Sequence, residues 1–250
     1  MRLDSCDARS WTETDATIPT ATPRQRSRTG EFVRILAKTL PANASAVASK
    51  APCLGHFGFR PPRPADYHRP MAYITLPTDA PGIRGPLTFR PESAKHLLGL
   101  AETILRQPAS LEQGDRETIA AWTSYLNGCN FCMKSHAAAA RAWYGPERSA
   151  ALDRLLASED SSGFTSKMQA LIAIADALQN CVLGVKPEHI DRARAAGASD
   201  HDIHDTVLIT AAFCMYNRYV EGLGTSEADD AEYEPMGRRL RDQGYAPARD

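Results

Sequence analysis

Cys129, Cys132 and His136 are the residues whose types and spacing indicate chemistry in this sequence. Two cysteines separated by two residues, with a histidine four positions further on, are the ingredients of a redox-active dithiol with a base beside it. If the run from Asn130 onward is helical, spacings of three and four bring all three side chains to one helix face. The spacing therefore predicts that a thiol pair and an imidazole meet.

A cysteine attacks only as its thiolate, and an ordinary thiol with a pKa of about 8.5 is mostly protonated at neutral pH. The sequence offers two aids to ionisation: the N-terminus of a helix that begins after Asn127-Gly128, and the imidazole of His136. A hydroperoxide would oxidise one sulfur to a sulfenic acid, and a thiol one helical turn away would condense with it to a disulfide. Glu117 is the candidate carboxylate for proton transfer, and we expect it beside Cys129 if the preceding helix folds back.

The elements that position these residues are predicted to be helices. Apolar residues recur at helical spacing, prolines and glycines mark the ends, and no β-branched alternation of any length occurs, so we predict an all-α, compact multi-helix bundle. The predicted helices span Pro91–Gln107, Asp115–Leu126, Cys129–Tyr144, Thr165–Asn180, Pro187–Ala196, Ser199–Leu223 and Glu234–Gln243. Ser199 and Asp202 form a capping-box pattern at the start of one of them. Before the helices, the stretch from Leu76 to Leu87 is rich in proline and glycine and predicts an extended arm.

Residues 1–70 differ in composition from the rest of the chain. They hold 8 of the 17 prolines and 11 basic against 6 acidic residues. We interpret them as a disordered extension and residues 71–250 as one helical domain. A second hypothesis is that translation starts at Met71, which opens the well-patterned segment, and that residues 1–70 lie upstream of the true start.

The composition and net charge of the chain limit the kinds of molecule that it is expected to bind. The net charge of −1 gives no electrostatic reason to expect nucleic acid or an anionic membrane, so small molecules or proteins are the expected partners. No apolar run reaches the length of about 18 residues that a membrane span needs, and the N-terminus does not read as a signal peptide. We expect a cytoplasmic protein, where a Cys-x-x-Cys pair usually means redox chemistry or metal binding.

Glu117 followed by Cys129-x-x-Cys132-x-x-x-His136 resembles the catalytic signature of the alkylhydroperoxidase D-like proteins, within the carboxymuconolactone decarboxylase superfamily. The resemblance extends to Met71–Ile74, to the run from Arg116 to Ala121 and to Phe213–Arg218, which look like the peroxidase-related branch of that superfamily. It covers roughly residues 71 to 245 and leaves the first 70 unmatched.

The resemblance implies a thiol-dependent peroxidase or disulfide reductase that uses no haem, flavin or metal cofactor. By position in the motif, Cys132 would attack the hydroperoxide and Cys129 would resolve the intermediate, with Glu117 and His136 as the proton relay. The resemblance also implies reduction by a protein dithiol, such as a lipoyl or thioredoxin-like donor, and a helical homo-oligomer with the dithiol near a subunit boundary.

One position departs from the family pattern. Some members carry a histidine just before the second cysteine, where this chain has Phe131. The relay from Glu117 to Cys129 would then need a water molecule or a direct contact. Members that act as true carboxymuconolactone decarboxylases lack the dithiol, so its presence argues against that activity.

Two alternatives from other classes stay open at the level of sequence. Cys129, Cys132 and His136 could hold zinc in a structural module, although a structural zinc site usually has four ligands and no second Cys-x-x-Cys is present. Alternatively, the motif could be intact in a protein that serves mainly as an adaptor or assembly subunit.

Overall fold

The computed structural model describes residues 72–245. The predictions for residues 1–70 and for a start at Met71 lie outside the described residues. Within them the regular elements are helices and no strand occurs, which confirms the predicted all-α fold. The helices are α1 (Arg84–Phe89), α2 (Pro91–Arg106), α3 (Gln113–Leu126), α4 (Asn130–Trp143), α5 (Pro146–Ser158), α6 (Ser166–Asn180), α7 (Pro187–Ala195), α8 (Asp200–Leu223) and α9 (Asp230–Gln243).

The predicted helices occur, with ends that differ by a few residues. The capping box at the start of α8 is present, because Ser199 accepts from the Asp202 backbone and the Asp202 side chain accepts from the Ser199 backbone. Helix α9 begins four residues earlier than predicted, at Asp230, because Asp229 and Glu232 form a second capping box. Side-chain caps thus define the N-terminal residues of helices whose first turn the periodicity of apolar residues does not locate.

The sequence prediction is wrong at two prolines, Pro146 and Pro86. Gly145-Pro146 was expected only to end a helix, yet Pro146 occupies the first turn of α5, whose buried face carries Ala151, Leu152 and Leu155. The arm predicted as extended up to Leu87 becomes helical at Arg84, with Pro86 in the first turn of α1. Both errors have one cause: first-turn N–H groups have no partner within the helix, so a proline there costs no hydrogen bond.

Helices α3 and α4 form a helical hairpin that lies against several other helices. Helix α3 packs on α8 and α6 as well as on α4, and α9 packs along the other side of α4. The main core brings together buried side chains from seven helices, α2 to α8, and its largest fully buried members include Leu105, Ile119, Leu152, Leu171 and Ile209. The residues with candidate chemistry therefore lie on the most extensively packed pair of helices.

A second, smaller apolar cluster lies between α4, α9 and the end of α8. Its buried members are Cys129, Phe131, Cys132, Ala138, Ala139, Val220, Ala228, Tyr233, Met236 and Leu240. Helices α4 and α9 approach closely because Gly237 of α9 faces the backbone of Ala138 on α4. A Cβ atom on residue 237 would overlap the Ala138 carbonyl group. Both cysteines of the motif are thus part of an apolar packing layer.

Candidate functional site

The turn between α3 and α4 places the first cysteine. Gly128 adopts φ 69°, and its N–H bonds to the Tyr125 carbonyl while the N–H of Cys129 bonds to the Ser124 carbonyl. This is a Schellman motif, in which a glycine takes the left-handed conformation that ends a helix. The residue that completes this motif is Cys129, which is also the N-cap of α4. One residue therefore ends one helix and begins the next, as the Asn127-Gly128 pair predicted.

The two thiols lie at the start of α4. Cys129 is fully buried and Cys132, in the first turn, is 4% exposed. Burial raises the pKa of the Cys129 thiol well above its ordinary range, and the neighbouring Cys132 sulfur and the Glu221 carboxylate act in the same direction. The backbone N–H of Cys132, in the first turn of α4, acts on Cys129 in the opposite direction, but burial outweighs it. Cys129 is therefore held as a neutral thiol.

His136 and Glu117 form a hydrogen-bonded pair across the hairpin. The Nδ1 atom of His136 lies 2.8 Å from Oε2 of Glu117, which is buried on α3. A carboxylate only accepts hydrogen bonds, so Nδ1 carries the proton and Nε2 is the nitrogen left to accept another. The sequence placed Glu117 beside Cys129, but within residues 72–245 its carboxylate makes no hydrogen bond to either cysteine. Glu117 is thus hydrogen-bonded to the imidazole and not to Cys129.

Helix geometry relates His136 to the thiols. His136 follows Cys132 by four residues on α4, so the two residues are neighbours along one face of the helix. The Phe213 ring meets the imidazole edge-on, with the centroids 4.5 Å apart. Among the described residues the imidazole lies within hydrogen-bonding distance of Glu117 and Tyr245. The meeting of the imidazole with the two thiols stays a prediction.

Phe131, at the position where some relatives carry a histidine, is a packing residue. Its ring is buried and lies 6.1 Å from the ring of Tyr233, centroid to centroid. It also covers Gly82, which adopts φ 59° and where a Cβ atom would overlap the aromatic ring. The side chain before the second cysteine therefore anchors the segment from residue 72 to 83 and adds no proton carrier.

A buried cation lies next to Glu117 in sequence. The Arg116 side chain is 1% exposed and donates from Nη1 to the Ile104 carbonyl at 3.2 Å. Burial lowers the pKa of this guanidinium, and the negative charges of Asp205 and Glu117 oppose that effect. Arg116 thus places a positive charge that offsets the cost of burying the Glu117 carboxylate.

Two residues that interact with the predicted site were not found from the sequence. Tyr245, just after α9, donates from its hydroxyl to Oε1 of Glu117 at 2.6 Å, across 128 positions of the chain. Glu221, near the end of α8, acts electrostatically on Cys129. No local spacing links either residue to the motif, because both contacts depend on how α8 and α9 pack on the hairpin.

The described residues do not form a metal centre or a membrane span. Within residues 72–245, no three side chains of His, Cys, Asp or Glu are arranged to hold a metal ion, so this part of the chain supplies no ligand set for the zinc alternative. The same residues contain no helix that is both long enough and apolar enough to cross a bilayer.

The fold of the described residues is all-helical and of the alkylhydroperoxidase D-like type. Residues 91–144 match the model of the carboxymuconolactone decarboxylase family, and this stretch contains all four predicted site residues. The resemblance predicted from the sequence is therefore confirmed. Among proteins of curated function, none matches the chain.

Solved structures of two peroxidase-related proteins share the fold. An uncharacterized peroxidase-related protein from Ralstonia eutropha JMP134, described as an alkylhydroperoxidase AhpD core, is 21% identical with a TM-score of 0.60, covering 68% of this chain and 98% of its own. An uncharacterized peroxidase-related protein from Silicibacter sp. TM1040 is 21% identical with a TM-score of 0.56, covering 63% of this chain and 81% of its own. At this identity the likeness establishes the fold.

Proposed function

We propose that the protein is a thiol-dependent peroxidase, or disulfide reductase, that works through Cys132 and Cys129. The observation that carries the proposal is the pair formed by His136 and Glu117, whose Nδ1 and Oε2 atoms lie 2.8 Å apart on the hairpin that holds both thiols. A carboxylate that fixes the tautomer and orientation of an imidazole beside a nucleophile is the arrangement that activates a thiol.

In the first step, the Cys132 thiol gives its proton to Nε2 of His136 and the thiolate attacks one oxygen of the hydroperoxide. A sulfur–oxygen bond forms and the oxygen–oxygen bond breaks, so that sulfur is oxidised by two electrons and the peroxide is reduced. The leaving alkoxide takes the proton from the imidazolium and departs as an alcohol. Glu117 stabilises the imidazolium that exists between the two proton transfers.

In the second step, the sulfur of Cys129 attacks the sulfenic acid on Cys132. The disulfide forms, the sulfur–oxygen bond breaks, and the hydroxide that leaves combines with the Cys129 proton to give water. The raised pKa of Cys129 supports this division of roles, because a thiol held neutral does not compete for the peroxide. It reacts once the partner sulfur has become electrophilic.

A protein dithiol is proposed as the reductant, since two electrons must return to the disulfide in each cycle. Thiol–disulfide exchange supplies them: the donor's thiolate attacks one sulfur, a mixed disulfide forms, and the donor's second thiol releases the enzyme as a dithiol. The predicted homo-oligomer stays a prediction from the sequence.

Thiol counting and metal analysis test the proposal together. Protein purified with its thiols reduced is treated with one equivalent of an organic hydroperoxide, and free thiols are counted before and after. We expect the loss of two thiols without bound metal, no loss in Cys132→Ser, and a sulfenic acid on Cys132 that a dimedone probe traps in Cys129→Ser. Cys214→Ser, which removes a cysteine on α8, is the control and should behave as the wild type.

The alternatives predict different results. Stoichiometric zinc with thiols that do not react would overturn the proposal in favour of a structural metal module. Thiol loss that persists in Cys132→Ser would show that the motif is not the reacting pair. A cellular phenotype that Cys132→Ser leaves unchanged would favour the adaptor function.

A further inference from the structure

Tyr245 contacts the Glu117–His136 pair although it follows Glu117 by 128 positions in the sequence. Its hydroxyl lies 2.6 Å from Oε1 of Glu117 and 3.3 Å from Nδ1 of His136. Its ring is nearly parallel to the imidazole, at an interplanar angle of 12° and a centroid distance of 5.9 Å. The tyrosine therefore contacts both members of the pair.

The hydroxyl of Tyr245 completes the hydrogen bonding of the carboxylate. Glu117 is 1% exposed, so water is not available to solvate it and its oxygens need protein donors. Oε2 accepts from the imidazole and Oε1 accepts from the phenol. Without the phenol, Oε1 would be a buried acceptor without its donor, which is unfavourable and loosens the hold on the carboxylate.

Tyr245 remains a donor across the working pH range. Burial raises the pKa of its phenol well above the ordinary value, and the negative charge of Glu117 raises it further. The group is therefore a neutral phenol that donates a hydrogen bond and does not itself exchange protons with substrate.

The aromatic rings also fix the plane of the imidazole. Tyr245 is stacked on one side of His136 and the Phe213 ring meets it edge-on. With Nδ1 bonded to Glu117 and the ring plane held by two aromatic neighbours, Nε2 has a single orientation. Rotation of the ring about its bond to Cβ would break both the hydrogen bond and the stacking.

Two residues of helix α2, Glu102 and Arg106, hold the segment around Tyr245 in place. The Tyr245 backbone N–H donates to Oε2 of Glu102 at 2.8 Å. Gly244 approaches the same carboxylate so closely that a Cβ atom on Gly244 would overlap it. Gly244 has φ 78°, a conformation that favours glycine. Arg106 of α2 donates to the Leu240 carbonyl at 2.8 Å and also to the Arg241 carbonyl. Hydrogen bonds to α2 thus hold the chain both before Gly244, at the end of α9, and after it, at Tyr245.

We propose that Tyr245 is a positioning residue that satisfies the second oxygen of Glu117 and holds His136 in one orientation and one tautomer, with Nε2 left as the acceptor. The inference rests on the proposed function for its effect on turnover, while its effect on the imidazole stands independently. No bond to Tyr245 forms or breaks: the proton moves between Cys132, Nε2 and the leaving oxygen, and the phenol donates the same hydrogen bond throughout.

Tyr245→Phe tests the proposal, because it removes the hydroxyl and keeps the stacked ring. We expect kcat for hydroperoxide reduction to fall roughly tenfold or more, as for the loss of a hydrogen bond to a charged group, with little change in KM.

A matched control separates positioning from a general loss of stability. Tyr216 is also buried and also donates one hydrogen bond, to the Leu97 carbonyl at 2.8 Å, yet it does not contact Glu117 or His136. Tyr216→Phe should therefore leave kcat unchanged. An equal fall in kcat in both variants would overturn the proposal.

The ring nitrogens of His136 give a readout that does not depend on peroxide turnover. Nitrogen-15 NMR of the histidine side chains, with His136→Gln used to assign the signal, should show one tautomer protonated at Nδ1 in the wild type. Tyr245→Phe should show a mixture of tautomers. Identical spectra in the two proteins would refute the positioning function, whereas inactivity of the wild type with the predicted spectra would refute only the peroxidase.

Discussion

His136 and Glu117 form one hydrogen-bonded unit although they lie on different helices, with Nδ1 and Oε2 2.8 Å apart. The tight turn at Gly128 folds α3 back on α4 and brings the two residues together. Because the carboxylate binds one nitrogen of the ring, it leaves the other, Nε2, as the nitrogen that can accept a proton. Changing either partner should therefore affect proton transfer more than binding.

Glu117→Gln tests this relationship while keeping the shape of the side chain. The variant removes the negative charge that stabilises an imidazolium, so the rate of peroxide-dependent thiol oxidation should fall by about 10²-fold to 10⁴-fold, the usual contribution of general acid–base catalysis. Stopped-flow measurement of thiol loss gives this rate. Glu147→Gln, on the exposed first turn of α5, is the control and should react at the wild-type rate.

Cys129 should be the slower of the two thiols to react with an alkylating agent. Burial, followed by the neighbouring Cys132 sulfur and the charge of Glu221, raises its pKa well above the ordinary range. In Cys132→Ser, where burial remains, we expect iodoacetamide at pH 8 to leave Cys129 unmodified in the folded protein and to modify it in denaturant. Peptide mass spectrometry separates the cysteines, and modification of folded Cys129 at the rate of an unfolded thiol would contradict the expectation.

Gly237→Ala should destabilise the protein by separating α9 from α4. The added Cβ would overlap the Ala138 carbonyl and lie 2.8 Å from the Ala139 nitrogen, so the backbones must shift, at a cost of about 1–3 kcal/mol for overpacking. Chemical denaturation measures the free energy of unfolding. The matched variant is Gly99→Ala on α2, where a Cβ meets nothing within 4 Å and the helix gains roughly 0.5–1 kcal/mol. Equal effects in the two variants would show that the close approach is unimportant.

Asp202 should stabilise the fold at neutral pH and lose this effect in acid. Burial acts to raise its pKa, but the Ser110 hydroxyl and the Ser199 backbone and hydroxyl groups outweigh burial, and the net pKa is lowered. Lys167 adds a positive charge at 3.5 Å. A carboxylate with a lowered pKa stabilises the folded state above the pKa of the unfolded chain, about 3.9, and the stabilisation disappears as the pH falls through the folded value.

Urea unfolding at pH 7 and at pH 3 checks the sign of this effect. Asp202→Asn should lower the free energy of unfolding by about 1–3 kcal/mol at pH 7, with a smaller difference from the wild type at pH 3. Asp200→Asn changes an exposed neighbour in the same turn and should have little effect at either pH. If Asp202→Asn lowered the free energy of unfolding more at pH 3 than at pH 7, the lowered pKa of Asp202 would be contradicted.

Local sequence signals determined most of the helical scaffold and the thiol motif. Periodic apolar residues and the Asn127-Gly128 stop give α3 and α4, and the spacing of Cys129, Cys132 and His136 follows from one helix alone. These predictions succeed because they depend on interactions within about four residues. The helix at Pro146–Ser158 was missed, because a proline that ends one helix also suits the first turn of the next.

Tertiary packing decided the surroundings in which these residues lie. Glu117 was expected beside Cys129, and the packing of α3 on α4 brings its carboxylate within hydrogen-bonding distance of His136. The hydroxyl that completes the pair comes from Tyr245, and its position depends on α9 packing against α4 through Gly237 and on the bonds to α2. Contacts between residues more than a hundred positions apart leave no trace in local spacing, because they depend on how helices pack and not on the period of any one helix. The sequence thus indicated which groups are candidates for chemistry, and the folded structure decided which atoms of those groups meet.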